Sequence, residues 1–227
     1  MSTTIVVNQD VRAELRARAA AFRQRMTAQG TLVVNLVSSP GAGKTSLLQQ
    51  TALALRDRAK PAVLVGDLAT ERDAERLAPY LPVAQLTTGG ACHLEIPLVE
   101  TGFDRLNEPR PDLLFIENVG NLVCPASHDL GEHLRVVLLS TTEGDDKPGK
   151  YPKMFRTSHA LVITKSDLLP HVPFRVDAAR EDARKIQPEL SLFVTSSYPA
   201  EGIAAWCDFL LETLVRLRTG VLPPERK

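Results

Sequence analysis

Two short stretches hold residues whose types and spacing suit chemistry. The first is "SSPGAGKTS", residues 38–46. Gly41 and Gly43, with Ala42 between them, let a backbone curl until its N–H groups converge on a polyphosphate, while Lys44 reaches toward the outer phosphates. Thr45 supplies a hydroxyl for Mg²⁺, Ser46 closes the loop, and the helix that opens there adds partial positive charge. A strict G-x4-G-K pattern has glycine at the first position, where this chain has Ser38; that position mainly eases a turn, and phosphate binding is expected to survive. The second stretch is "TTGGACHLE", residues 87–95, which sets Cys92 beside His93 behind two glycines. Thiolate and imidazole are donors for Zn²⁺ or Ni²⁺ rather than for Mg²⁺.

Other parts extend both ends. "FIENVG", 115–120, closes an apolar run with Glu117 and places Gly120 three residues on. A carboxylate there suits Mg²⁺, and a glycine lets a backbone N–H approach a γ-phosphate. Asp67, in "VLVGDLATERD", ends another run and is a second candidate for the metal, with helix N-capping as its plainer role. Lys44, Asp67 and Glu117 are therefore the expected catalytic set. "VITKSDLL", 162–169, resembles the N-K-x-D element of GTPases with Thr164 in place of Asn. Asp167 could accept from guanine N1–H and N2–H₂ together, a pairing adenine cannot offer, while Lys165 packs over the ring. Ser196 and Ser197, in "VTSSYPAEG", are expected in the loop over the guanine oxygen. Cys124, seven residues after Glu117, is a third soft donor. Three donors fall one short of a closed tetrahedral site, so two chains about a twofold axis could share them. His128, Asp129 and His133 follow Cys124 closely, each with an ordinary polar role as the competing reading. Cys207, on the apolar face of the last helical pattern, reads as core.

These residues need rigid elements to hold them. The 227 residues suffice for one large domain, and 27 basic residues balance 27 acidic ones, so no global field recruits nucleic acid or an anionic membrane. Three cysteines are too few for a disulfide framework and suit a reducing cytoplasm. The first residues lack a secretory pattern, and no run approaches the roughly 20 apolar residues of a membrane helix. Apolar runs at 31–37, 62–66, 83–86, 112–117, 134–140, 160–164 and 191–195 alternate with helical patterns at 10–28, 44–58, 70–78, 94–106, 151–156, 176–187 and 202–218. Short runs apolar on both faces, separated by helices, predict a doubly wound α/β fold with a mostly parallel sheet flanked by helices. The expected organisation is an N-terminal amphipathic helix in 1–30 stopped at Gly30, a nucleotide-binding domain with a metal site in 31–220, and a frayed tail in 221–227. The segment "EGDDKPGKYP", 143–152, reads as a mobile connector whose Lys150, or nearby Lys153, could meet a second subunit or the nucleotide.

The strings "SSPGAGKTSLL", "GDLATERDAERL", "TTGGACHLE", "LLFIENVGNLVCPASHDLGEH" and "EGDDKPGKYPKMF" together resemble the hydrogenase nickel-incorporation GTPases, the HypB family. The likeness runs from about residue 31 to about residue 205. It implies a SIMIBI-class P-loop GTPase that uses GTP, GDP and Mg²⁺, dimerises with GTP, and delivers Ni²⁺ to the [NiFe]-hydrogenase large-subunit precursor with a HypA-type accessory protein. It also implies Ni²⁺ or Zn²⁺ bound by residues matching Cys92, His93 and Cys124. Some relatives carry an N-terminal Cys-rich nickel site or a His-rich tract, and the first 30 residues here contain neither Cys nor His. Glu117, Gly120 and Cys124 lie on one segment, so a loop ordered by γ-phosphate would shift a metal-binding thiolate. Without an obvious glutamine or arginine finger, hydrolysis is expected to be slow. The competing readings are an adaptor that dimerises with nucleotide around a structural zinc, a related urease nickel GTPase, and an ATP-driven P-loop protein.

Overall fold

The computed structural model describes residues 7–67, 72–106 and 110–221, with the side chains of 7–10 and of Asp67 outside that description. The expected helix start at 70–71 and the tail beyond residue 221 also lie outside the described residues.

Helix α1 (Val7–Gln29) leads into β1 (Leu32–Ser38), α2 (Lys44–Leu55), β2 (Pro61–Asp67), α3 (Arg72–Leu77), β3 (Val83–Thr87), α4 (Ile96–Arg105) and β4 (Leu113–Glu117). Strand β5 (Leu134–Ser140), the short helices α5 (Lys147–Lys150) and α6 (Pro152–Arg156), β6 (Ala160–Thr164), α7 (Val176–Ile186) and β7 (Ser191–Val194) follow. A two-residue hairpin, β8 (Ser196–Ser197) with β9 (Ala200–Glu201), precedes α8 (Ile203–Arg218). Seven strands form one sheet in the order β3-β2-β4-β1-β5-β6-β7, and every pairing is parallel. Every residue of β1, β4, β5 and β6 is buried, as strands covered on both faces require, whereas the edge strands β3 and β7 are only partly covered.

Both helical layers contribute core. On one face, α2 and α8 pack Leu47, Leu48, Leu55, Trp206 and Leu210 against Val34, Leu36 and Phe115. The Trp206 indole N–H donates to Thr51 Oγ1 at 3.0 Å, so its polar edge is satisfied inside the core. Cys207 is fully buried in this cluster, and burial pushes its thiol up to about 11. On the other face, α1 turns Ala19, Phe22 and Met26 inward at helical spacing against Val33, Leu114 and Ile116. Gly30 ends this helix with φ +72°, a left-handed value that favours glycine. No described helix is long and apolar enough to cross a membrane.

The expected elements differ from the observed ones mostly by a residue or two at their ends. Segment 143–152 departs further. Instead of an open connector it folds into α5 and the start of α6, pinned by Lys147–Glu143 and Lys150–Asp146 ion pairs.

Candidate functional site

All seven strands run the same way, so the loops at their C-terminal ends gather on one edge of the sheet, where open α/β sheets place their ligands. Residues 39–43 connect β1 to α2 there, with Gly41 at φ +72° and Gly43 at φ +92°. Ala42 is buried, Lys44 and Thr45 are buried as α2 begins, and Ser46 is half-buried. Ser38 does more than ease a turn. Its hydroxyl is fully buried, donates to the Ser39 carbonyl at 2.7 Å and accepts from Lys44 Nζ at 3.1 Å, holding the ammonium over the loop.

Glu117 ends β4 beside this loop and is flanked by Leu36 of β1 and Val65 of β2. Its Oε1 accepts from Thr45 Oγ1 at 2.8 Å, while Oε2 is buried with no hydrogen-bond partner. Burial raises this carboxyl to about 7, against the opposing pull of Lys44 and the Thr45 hydroxyl. A buried carboxylate with an orphaned oxygen beside a threonine hydroxyl is a fitting place for a hard divalent cation. Asp67 terminates β2 at the same edge, with its side chain outside the description. At Gly120 a Cβ would lie 2.8 Å from Pro40 Cα, so only glycine lets this loop press against residues 39–43.

The proposed base-binding residues lie at the ends of β6 and β7, with β5 between them and the phosphate loop after β1. Thr164 Oγ1 donates to the Ala42 carbonyl at 2.6 Å, and Lys165 Nζ donates to the Gly41 carbonyl at 2.8 Å, tying this corner to the phosphate loop. Asp167 is exposed, and its Oδ1 accepts from Ser196 Oγ at 2.7 Å. Ser197 sits in the β8–β9 hairpin opposite Ala200. Asp167, Ser196 and Ser197 therefore share one corner.

Two basic residues at the phosphate loop escaped the sequence reading. Lys147, rather than Lys150 or Lys153, reaches it, with Nζ donating to Ser39 Oγ at 3.3 Å. Arg76 of α3 donates to Ser46 Oγ at 3.4 Å and faces the Glu117 carboxyl electrostatically. Only the lysine-rich "DDKPGK" string hinted at the first; the second had no signal beyond its helix. Lys150 pairs with Asp146, and Lys153 donates to Ser127 Oγ at 2.6 Å, next to the Cys124 turn.

The second cluster lies on the loops after β3 and β4. Cys92 and Cys124 face each other with sulfurs 2.9 Å apart, both as free thiols, and His93 Nδ1 stands 3.6 Å from the Cys92 sulfur. One donor atom from each of Cys92, His93 and Cys124 falls within 4.8 Å of the others, a set able to hold a soft or borderline cation. The hydrogen bond with Cys124 raises the Cys92 thiol above its ordinary value, and desolvation followed by the charge of His128 lowers His93.

The cluster is anchored from behind. Leu94 is fully buried and fills the space over Gly66, where a Cβ would come within 2.7 Å of it. Asn118 Oδ1 accepts from the Leu94 and Val119 amides at 3.4 and 2.9 Å, and its Nδ2 donates to Asn35 Oδ1 at 3.2 Å. Asn35 in turn donates to Glu132 Oε1 at 3.3 Å, and Arg135 holds that same oxygen through Nε and Nη2 at 2.9 and 2.6 Å. The guanidinium also donates to the Ala126 and His128 carbonyls at 3.3 and 2.7 Å, clamping the turn Cys124–Ser127. Arg135 outweighs the cost of burial and holds Glu132 down to about 2. A buried asparagine–carboxylate–arginine chain thus links the residue after Glu117 to the turn bearing Cys124.

The three candidate donors behind Cys124 divide sharply. Asp129 accepts from Arg23 Nη2 at 2.6 Å. His133 is buried, accepts the Val33 amide on Nδ1 at 2.9 Å and meets Thr27 Oγ1 through Nε2 at 2.9 Å. Both are structural. His128 instead stacks on His93 with ring centroids 3.7 Å apart.

Residues 32–194 match the family model described as CobW/HypB/UreG, nucleotide-binding domain. A hydrogenase maturation factor HypB of Azotobacter vinelandii is 45% identical over 210 residues, covering 92% of this chain and 69% of that protein. A hydrogenase/urease maturation factor HypB of Helicobacter pylori is 44% identical, covering 86% of this chain and 82% of the relative. The crystal structure of HypB from Helicobacter pylori in complex with nickel superposes with a TM-score of 0.87 at 40% identity, covering 94% of this chain and all of that one. A signal recognition particle 54 kDa protein from Aeropyrum pernix in complex with GDP, 13% identical with a TM-score of 0.55, shares the fold. With a matching family model across most of its length and relatives of this identity, the chain belongs to the HypB branch of the CobW/HypB/UreG P-loop family.

Proposed function

We propose that the chain is a slow GTPase that carries nickel and delivers it to the [NiFe]-hydrogenase large-subunit precursor. In this reading residues 41–46 cradle the phosphates, with Lys44 neutralising charge on the outer pair and Gly120 offering its amide to the γ-phosphate. Thr45, Glu117 and Asp67 would hold Mg²⁺, which when bound would supply charge neutralisation to the phosphates. The orphaned Glu117 Oε2 supports that assignment. Asp167 selects guanine, Lys165 flanks the base, and Ser196 and Ser197 line its oxygen edge. Ser196 already orients the Asp167 carboxylate. Asp167→Asn is expected to weaken GTP and to favour xanthosine triphosphate, whose C2 carbonyl suits an amide; unchanged GTP preference in a nucleotide competition assay contradicts the base assignment.

Nickel, or zinc in its place, is the cargo of Cys92, His93 and Cys124. An exposed Cys92, and an exposed Val123 next to Cys124 in the chain, support a site shared across a GTP-dependent homodimer. The expected partners are a HypA-type accessory protein and the hydrogenase precursor, in the cytoplasm. The relatives named as hydrogenase maturation factors, one of them solved with nickel, support this assignment.

The observation that carries the reading is the Asn118 side chain. It follows Glu117 and accepts the Leu94 amide next to His93, so the nucleotide end and the metal end share one residue. The decisive measurement is Ni²⁺ affinity and molecular mass of the full chain with GDP and with a non-hydrolysable GTP analogue. Different affinities with thiolate-to-metal absorption that disappears in Cys92→Ala/Cys124→Ala are expected. Equal affinities, with metal that never exchanges on hydrolysis, would identify a structural zinc bolt instead.

A further inference from the structure

We propose that His93, Glu95 and His128 form a second, thiolate-free divalent-cation site joined to the cysteine set through the His93 ring. The proposal deepens the cargo reading above and rests on it only for the role of the thiolates.

The two sets use opposite edges of one imidazole. His93 Nδ1 faces the Cys92 sulfur at 3.6 Å, whereas Nε2 is buried, has no hydrogen-bond partner and stands 3.8 Å from Glu95 Oε1. A buried ring nitrogen left unpaired is costly unless something else completes it. His128 is prepared to do so. Its Nδ1 lies 2.8 Å from the Cys124 carbonyl oxygen, which can only accept, so Nδ1 carries the proton and Nε2 keeps its lone pair. A backbone carbonyl fixing the tautomer of a ligand histidine is the usual outer-sphere arrangement at metal centres. The same bond ties the ring to the residue that bears the second thiolate.

One donor atom from each of His93, Glu95 and His128 falls within 4.8 Å of the others, a spread that metal–ligand bonds of about 2.1 Å can close with small side-chain rotations. Glu95 is exposed, so the site opens to solvent. Two imidazoles and a carboxylate suit Ni²⁺, Zn²⁺ or Co²⁺ but hold them less tightly than a pair of thiolates. A borderline cation leaving the cysteines therefore meets a weaker, solvent-facing set before it leaves the protein.

The test uses the full chain with Ni²⁺ and Co²⁺ as probes, followed by titration calorimetry and absorption spectroscopy. Cys92→Ala/Cys124→Ala should lose thiolate-to-metal absorption yet keep one weaker cation per chain. Adding His128→Phe, which preserves the ring stacked on His93, should weaken that residual binding about tenfold or more, equivalent to at least about 1.4 kcal/mol. Adding the surface substitution Glu95→Gln instead should weaken it as well, and circular dichroism checks folding of each variant. The proposal is overturned if the double cysteine variant binds no cation, or if either addition leaves its affinity unchanged. Failure of the cargo-site reading is seen separately, as absence of thiolate-to-metal absorption in the unaltered chain.

Discussion

The two ends of this molecule are built on opposite plans. At the phosphate end the chemistry is mostly backbone and buried: Lys44, Thr45 and Glu117 are each less than a tenth exposed, and strands on both sides fix Glu117. At the metal end the donors are side chains on turns, with Cys92 in solvent and His93 and Cys124 half-exposed. What order the second end has comes from behind, through Leu94, Asn118 and Arg135. On the proposed function, a site that recognises one polyphosphate shape gains from preorganisation, whereas a site that surrenders its ligand gains from access. The contrast assigns rigidity to the sheet and exchange to the loops.

The harshest way to break this contrast is to remove the clamp behind the loops. Glu132→Ala strands a buried guanidinium and should cost about 3–5 kcal/mol in urea unfolding. Because Arg135 then loses the carboxylate that fixes it behind the Cys124 turn, Ni²⁺ should also leave faster in stopped-flow chelator assays. An equal loss of GDP affinity would show that the two ends are not independently built. Lys44→Ala attacks the other side, and is expected to slow GTP hydrolysis about 10²- to 10³-fold while Ni²⁺ affinity in the GDP state holds. Phosphate release reports the first quantity and calorimetry the second. Asn118→Ala falls between the two ends. Losing its acceptor for the Leu94 and Val119 amides should cost about 1–3 kcal/mol, and the difference in Ni²⁺ affinity between GDP and GTP-analogue states should shrink.

The smallest perturbation is acid. His133 is held down to about 4 from 6.5 by burial and Arg23, so between those values the unfolded chain binds more protons than the folded one. The His133 contribution is therefore full above about pH 6.5 and is lost as pH falls toward 4, whereas Glu117, raised to about 7, contributes in the opposite sense between 4.5 and 7. Glu132, held down to about 2 from 4.5, adds a further decline below 4.5 in the same direction as His133. In urea midpoints measured from pH 7 to pH 4, the unaltered chain should lose stability relative to His133→Asn as pH falls from about 6.5 to 4.

Much of the sheet was legible because a strand covered on both faces has to be mostly apolar, as "LVVNLVS" and "LRVVLLS" are. The phosphate loop was legible because its glycines and lysine are neighbours in the chain. The Cys92–His93–Cys124 cluster was legible by residue type, but its surroundings were not. Sequence offered His128, Asp129 and His133 on equal terms, and only the fold shows Asp129 meeting Arg23 and His133 meeting Val33, contacts more than 90 residues away in sequence. Asn35 is a polar residue inside an otherwise apolar run, and its meaning depends on two partners, Asn118 and Glu132, that the chain supplies much later. Lys147 and Arg76 were missed for the same reason, since ordinary surface cations carry no mark of what they will face.

The amide of Asn118 donates to the Leu36 carbonyl at 3.0 Å, one residue beyond the end of β4. Past that rung the main chain is no longer stitched to its neighbour, and only residues 119–123 separate it from Cys124. Such a tether spans at most about 17 Å when fully drawn out. On the proposed function, any swing that a third phosphate imparts to the thiol along the main chain is generated inside that short arm, so lengthening it by a few inserted residues should weaken the coupling while leaving each end intact.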